Sequence, residues 1–98
     1  FQIKPARTKI TKLKKKSNGI RVTWKKVSNA SGYIVYRRMN DGSYKKIKTI
    51  KSKKTCSYLD KGARYRWNRY YYKVVAYKKV AGKTYSSKAS KIKSIYRR

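Results

Sequence analysis

The sequence contains no histidine, and its 98 residues include only two acids, Asp41 and Asp60. It has one cysteine, one proline and one methionine. Each shortage excludes something. Two acids far apart in sequence give no general acid/base pair at moderate pH. A lone Cys56 without histidine makes neither a Cys–His nucleophile nor a zinc set, and it closes no internal disulfide. Cys56 is expected as a small buried hydrophobe in a strand, on one face with Tyr58. Composition allows a Ser–Lys dyad, but an ordinary surface lysine is a poor base and nothing resembles an activating pocket. The expectation is therefore no enzyme: no catalytic residues, no cofactor, no metal and no small-molecule substrate. Apolar runs are short and broken by lysine, so no membrane span is expected. No signal peptide is visible, and the start at Phe1 suits a mature fragment or a domain cut from a larger precursor.

What the chain does have is positive charge. Lysine and arginine number 31, for a net charge of +29. Such a chain repels itself when compact and attracts polyanions: nucleic acid, sulfated glycans, teichoic acids or anionic membranes. Equally, the lysines suit an exposed background, because their stems cover apolar strand edges and their charges block sheet-to-sheet aggregation. Hydrophobic residues at 39% and 11 tyrosines supply apolar area for one core in a single domain of this length.

The pattern is that of strands. Tyr70 to Tyr77 alternates: Tyr70, Tyr72, Val74 and Ala76 on one face, Tyr71, Lys73, Val75 and Tyr77 on the other. It reads as the central strand. Thr8–Leu13, Ile20–Trp24, Tyr33–Tyr36, Tyr44–Ile50, Thr55–Tyr58 and Ile92–Tyr96 read as its companions. Turn signals stand at Lys14-Lys15-Lys16-Ser17-Asn18-Gly19, Asn40–Ser43 and Ala81-Gly82. About seven short strands and no convincing helix predict an all-β, immunoglobulin-like β-sandwich at residues 8–98, after a lead-in at 1–7. The expected core is Trp24, Tyr33, Val35, Tyr70, Val74 and Ala76.

These pieces, in order, resemble a fibronectin type III domain of the kind common in surface and secreted proteins of Gram-positive bacteria. Val22-Thr23-Trp24-Lys25-Lys26-Val27 is similar to the family's strand B with its core tryptophan. Ala30-Ser31-Gly32-Tyr33-Ile34-Val35-Tyr36-Arg37 is similar to strand C, Tyr44–Ile47 to C′ and Thr55–Asp60 to E. Tyr70 to Ala76 resembles the Tyr-x-x-x-Val-x-Ala strand F, and Ser87–Ser90 the serine-rich start of G. The resemblance implies sheets A-B-E and C′-C-F-G, no disulfide, and Tyr70 as the corner tyrosine with Tyr65 as competitor. It implies that Val74 and Ala76 pack on Trp24. The chain departs from the family at Ala63–Arg69, where a short Pro/Gly crossing is usual, and it lacks an Arg-Gly-Asp tripeptide between strands F and G.

Three groups of residues are candidates for binding. Lys45, Lys46 and Lys48, followed by Lys51, Lys53 and Lys54, form the densest basic segment and resemble a heparin-type pattern. Alternation places Lys46 and Lys48 on one face and Lys45 on the other. The plain alternative is a solvated edge strand. Arg64, Arg66, Trp67 and Arg69 interleave aromatic and guanidinium groups, which suits an anion held beside a stacked ring. The plain alternative there is that Trp67 closes the bottom of the core. The outward tyrosines and Lys73 of strand F add the broadest face. The resemblance implies an extracellular, non-catalytic interaction module, secreted or cell-surface, meeting a protein receptor or an anionic glycan or cell-wall polymer. The alternative is a free-standing secreted signalling polypeptide acting on a receptor, as irisin is in animals. An intracellular nucleic-acid binder fits the charge but not the fold. A monomer is expected.

Overall fold

The computed structural model describes residues 5–40, 42–63, 65 and 67–97. They form eight strands and, among the described residues, no helix. β1 (Ile10–Lys16), β2 (Gly19–Trp24) and β5 (Ser57–Asp60) make one antiparallel sheet in the order β1-β2-β5. β4 (Lys45–Ile50), β3 (Gly32–Met39) and β6 (Asn68–Val80) make the facing sheet in the order β4-β3-β6. The far edge of β6 carries both β7 (Lys83–Ser86) and β8 (Lys93–Arg97). These sheets are the A-B-E and C′-C-F-G sheets expected above.

The eighth strand arises because the last strand of the sandwich is broken in two. Between β7 and β8, serines take over the ladder. Ser87 donates its N–H to the Ala76 carbonyl at 2.8 Å, and its hydroxyl accepts from the Ala76 N–H at 3.0 Å. Ser90 repeats the exchange with Val74, at 2.9 Å in each direction. A hydroxyl thus replaces a backbone carbonyl as acceptor, so β6 stays satisfied although its neighbour is not extended. At the other end of β7, Ala81 and Gly82 both have positive φ, 50° and 80°. A two-residue turn of this hand matches the twist of paired strands, and the glycine adopts it without strain.

Two bulges explain apolar residues spaced three apart. Ile10 pairs with Trp24 and Lys12 with Thr23, so Thr11 is an extra residue. Ile10 and Leu13 thereby both reach the core from β1. Likewise Val35 pairs with Lys48 and Tyr36 with Lys46, leaving Ile47 as the extra residue of β4, turned toward the core.

All six expected core residues are buried: Trp24, Tyr33, Val35, Tyr70, Val74 and Ala76, with Tyr72 beside them. The rings of Trp24 and Tyr33 are tilted at 57° with centroids 5.5 Å apart. Such an aromatic contact adds about 0.5–1.5 kcal/mol to the burial of the rings. The Tyr33 hydroxyl accepts from the Val27 N–H and donates to the Lys53 carbonyl, each at 2.9 Å, so its polar tip is matched. Tyr70 is the corner residue. Its hydroxyl donates to the Tyr65 carbonyl at 3.0 Å and accepts from the Tyr65 N–H at 3.2 Å. Tyr65 supplies backbone, while its side chain lies 55% exposed.

One ion pair lies between the sheets, with Asp60 buried and Arg37 half-buried. Arg37 Nη1 donates to both oxygens of Asp60, at 2.8 and 2.9 Å. The Tyr72 hydroxyl donates to Oδ2 at 2.7 Å and the Gly62 N–H to Oδ1 at 3.1 Å. At the same end, the Arg97 guanidinium donates to the carbonyls of Lys16, Ser17 and Gly19, tying β8 to the β1–β2 turn.

Cys56 departs from expectation. It lies just before β5, half-buried, because β5 begins at Ser57. Its carbonyl accepts from the Trp24 N–H at 2.8 Å, so its backbone, more than its thiol, holds the sheet edge.

Burial also sets the tyrosine titration. Tyr33, Tyr70 and Tyr72 are raised above the ordinary phenol value by loss of water, and for Tyr72 the Asp60 carboxylate adds to the rise. Tyr44 is raised by burial too. A folded pKa above the unfolded value of about 10 gives stability that is complete below pH 10 and falls as pH rises beyond it. Tyrosinate absorbance followed against pH should therefore show Tyr72 ionising only as the β-sheet circular dichroism is lost. Full titration of all 11 tyrosines in a folded chain would contradict this burial.

Candidate functional site

The outer face of the large sheet gathers aromatic rings and cations in alternation. Side chains pointing outward from β6 are Arg69, Tyr71, Lys73, Val75 and Tyr77, since Tyr70, Tyr72, Val74 and Ala76 point into the core. The register sets their neighbours. Lys73 lies across from Tyr36, and Tyr36 from Lys46. Tyr71 lies across from Arg38 on one side and Ser94 on the other. Arg69 lies across from Tyr96.

Arg38, Lys73 and Arg69 each rest on a ring. The Arg38 guanidinium carbon stands 4.1 Å from the centroid of Tyr71 and 5.5 Å from that of Tyr44. Lys73 Nζ stands 4.4 Å from the centroid of Tyr44 and 5.3 Å from that of Tyr36. Arg69 stands 5.6 Å from the Tyr96 ring, and its Nη1 donates to the Ser94 hydroxyl at 3.5 Å. Contacts of this kind contribute about 0.5–1 kcal/mol each at exposed sites. Tyr44 is held over the sheet from its position just before β4, beyond the turn in which the Gly42 N–H donates to the Met39 carbonyl at 3.0 Å. Burial raises its phenol pKa, Arg38 lowers it and Tyr71 raises it.

The balance of charge on this face is one-sided. Arg38 and Lys73 are diagonal neighbours and share the Tyr44 ring, yet among the described residues neither has an acidic partner. Asp60 is turned inward to Arg37.

The basic segment singled out in the sequence does not converge. Lys45, Lys46, Lys48, Lys51, Lys53 and Lys54 are all exposed. The β4 bulge puts Lys46 in the outer row of Tyr36 and Lys48 in the row of buried Val35. Lys46 and Lys48 therefore do not share a face, contrary to simple alternation; the extra residue at Ile47 reverses it. Lys45 pairs with Arg37, whose side chain points inward to Asp60. Lys51, Lys53 and Lys54 lie on the loop between β4 and β5.

Arg64 and Arg66 lie outside the described residues. Trp67 does not close the core: it is 69% exposed, with φ of 65°. Its N–H donates to the Arg97 carbonyl at 2.5 Å. A left-handed non-glycine residue costs about 1–3 kcal/mol unless its surroundings impose it. Of the two readings of Trp67, closing the core and binding, its exposure removes the first; Ala63 and Tyr70 are the buried residues of this segment. Arg69 is exposed and reaches the outer face beside Tyr96.

Tyr77 is the other correction. It points outward but is only 4% exposed. It pairs with Gly32, and a side chain there would collide with its ring; the Tyr77 hydroxyl donates across the gap to the Ile50 carbonyl at 3.4 Å. The face is thus built by Tyr36, Tyr44 and Tyr71. Arg38 is the functional candidate that sequence reasoning missed. Its alternation with Tyr36 was visible, but its juxtaposition with Tyr71 depends on the strand register.

Two antiparallel sheets in this order, a corner tyrosine and a single unpaired cysteine define an immunoglobulin-like sandwich of the fibronectin type III (Fn3) kind. Solved structures share it. The crystal structure of an Fn3-like protein from Clostridium thermocellum aligns over 90% of this chain and 86% of its own, at 28% identity and a TM-score of 0.57. No protein-family model and no curated protein matches the chain. The chain is an Fn3-like domain, and the fold is that of a binding or interaction module.

Proposed function

We propose that this domain is a non-catalytic, extracellular module that binds anionic polymers of the cell surface, glycan or cell-wall polymer, through the outer face of its large sheet. The observation that carries the reading is the row of cations on that face, Lys46, Lys73, Arg38 and Arg69, with no acid among the described residues to neutralise it. Fn3-like domains are commonly extracellular, which supports the setting. A net charge of +29 supports a monomer. Calorimetry at low salt should show sulfated dextran binding and uncharged dextran not binding. Failure of sulfated dextran to bind would overturn the reading.

A second reading has its own observation. Trp67 is exposed two residues from Tyr65, and its N–H donates to the carbonyl of Arg97, next in sequence to Tyr96. With Tyr65 and Tyr96 55% and 40% exposed, this is the composition of a protein-contact hot spot. It suits a protein receptor, the role a secreted signalling polypeptide requires. A domain indifferent to polyanions would favour it.

A further inference from the structure

The geometry points to Arg38, clamped on Tyr71 and Tyr44 with Lys73 on the same Tyr44 ring, as a subsite for one tetrahedral ester anion, sulfate or phosphate, of an anionic glycan. This rests on the polyanion-binding reading and deepens it. The first ground is orientation. The Arg38 guanidinium carbon stands 4.1 Å from the Tyr71 ring centroid, and the Arg38 side chain makes no hydrogen bond to any described residue. Its Nε is sealed and unpartnered, whereas the terminal nitrogens are not sealed. Two such nitrogens on one guanidinium, without a partner among the described residues, suit two oxygens of one anion.

Cost is the second ground. The Arg38 Nε and the Tyr44 hydroxyl are both buried without a hydrogen-bond partner among the described residues. Each unmade bond is worth about 1–3 kcal/mol. Two like charges on one ring add repulsion. An arrangement that works against stability three times over, in one place, is what a preorganised site looks like.

Geometry also selects the ligand. A carboxylate offers two oxygens, which one guanidinium occupies. A sulfate or phosphate monoester, with three terminal oxygens, keeps a third for Lys73, which a phosphodiester does not. The rings of Tyr71, Tyr44 and Tyr36 each already carry a cation of the chain itself, which competes with the base stacking used by single-strand binders. A sugar chain with pendant anions needs no such stacking.

The test compares the whole domain with its Arg38→Lys and Tyr71→Leu variants, both of which keep the net charge. Lys14→Gln, on the exposed surface of β1, is the control. Probes are sulfated dextran, phosphorylated dextran and a DNA duplex of matched charge. Arg38→Lys and Tyr71→Leu should each weaken binding of at least one dextran ester about tenfold, and Lys14→Gln less than about twofold. The ester that loses more identifies the anion. Wild-type-like binding by Arg38→Lys would overturn the subsite while leaving the polyanion reading intact. Failure of the wild type to bind any probe would overturn that reading itself. Tighter binding to the DNA duplex, with the same loss in Arg38→Lys, would overturn the glycan assignment.

Discussion

Replacing Asp60 by Ala is expected to destabilise the domain by about 3–5 kcal/mol, the usual consequence of removing one partner from a buried ion pair. The carboxylate is 3% exposed and accepts from Arg37, Tyr72 and the Gly62 N–H. Its loss strands three donors at once. One is a guanidinium in a chain already at +29, where no second acid stands nearby among the described residues. A domain of this size has about 5–15 kcal/mol in all, less whatever self-repulsion removes, so roughly a third of the reserve is at stake. Urea unfolding gives the number, and the melting temperature should fall by at least about 12 °C. Asp60→Leu combined with Arg37→Met should recover much of the loss, because apolar groups of similar size leave no stranded charge. A cost below about 1 kcal/mol for Asp60→Ala would mean that the pair is solvated.

Asp60 also illustrates what could be read from the chain and what could not. The alternation of Tyr70 to Ala76 and the Trp24 strand were legible, since burial of one face enforces a period of two wherever the strand is regular. The fold and its six core residues follow from that. The bulges at Thr11 and Ile47 were not legible. An extra residue leaves the composition unchanged but reverses every side chain beyond it, and it undid the pairing of Lys46 with Lys48. Trp67 stayed open in the sequence between a binding role and closing the core, because size and hydrophobicity argue for burial while its arginine neighbours argue for a surface. Its exposure and left-handed backbone settle only that it does not close the core. Tyr77 was hidden by a glycine on another strand. The binding face required pairing between strands some 33 residues apart, Arg38 with Tyr71, and no local pattern carries that information.

The central claim is that the charge on the outer face is functional, and salt dependence tests it most directly. Binding that neutralises cations releases counterions from the polymer, so log K falls linearly with log salt, by about 0.7 per contact for a flexible chain. The face presents Lys46, Lys73, Arg38 and Arg69. Four contacts predict a slope of about −3, hence a loss of roughly fiftyfold between about 50 and 200 mM salt. The measurement is the affinity for sulfated dextran by calorimetry across that range. A straight line of slope about −3 is the predicted result. An affinity that changes by less than about fourfold over the same range, a slope no steeper than about −1, would contradict the account.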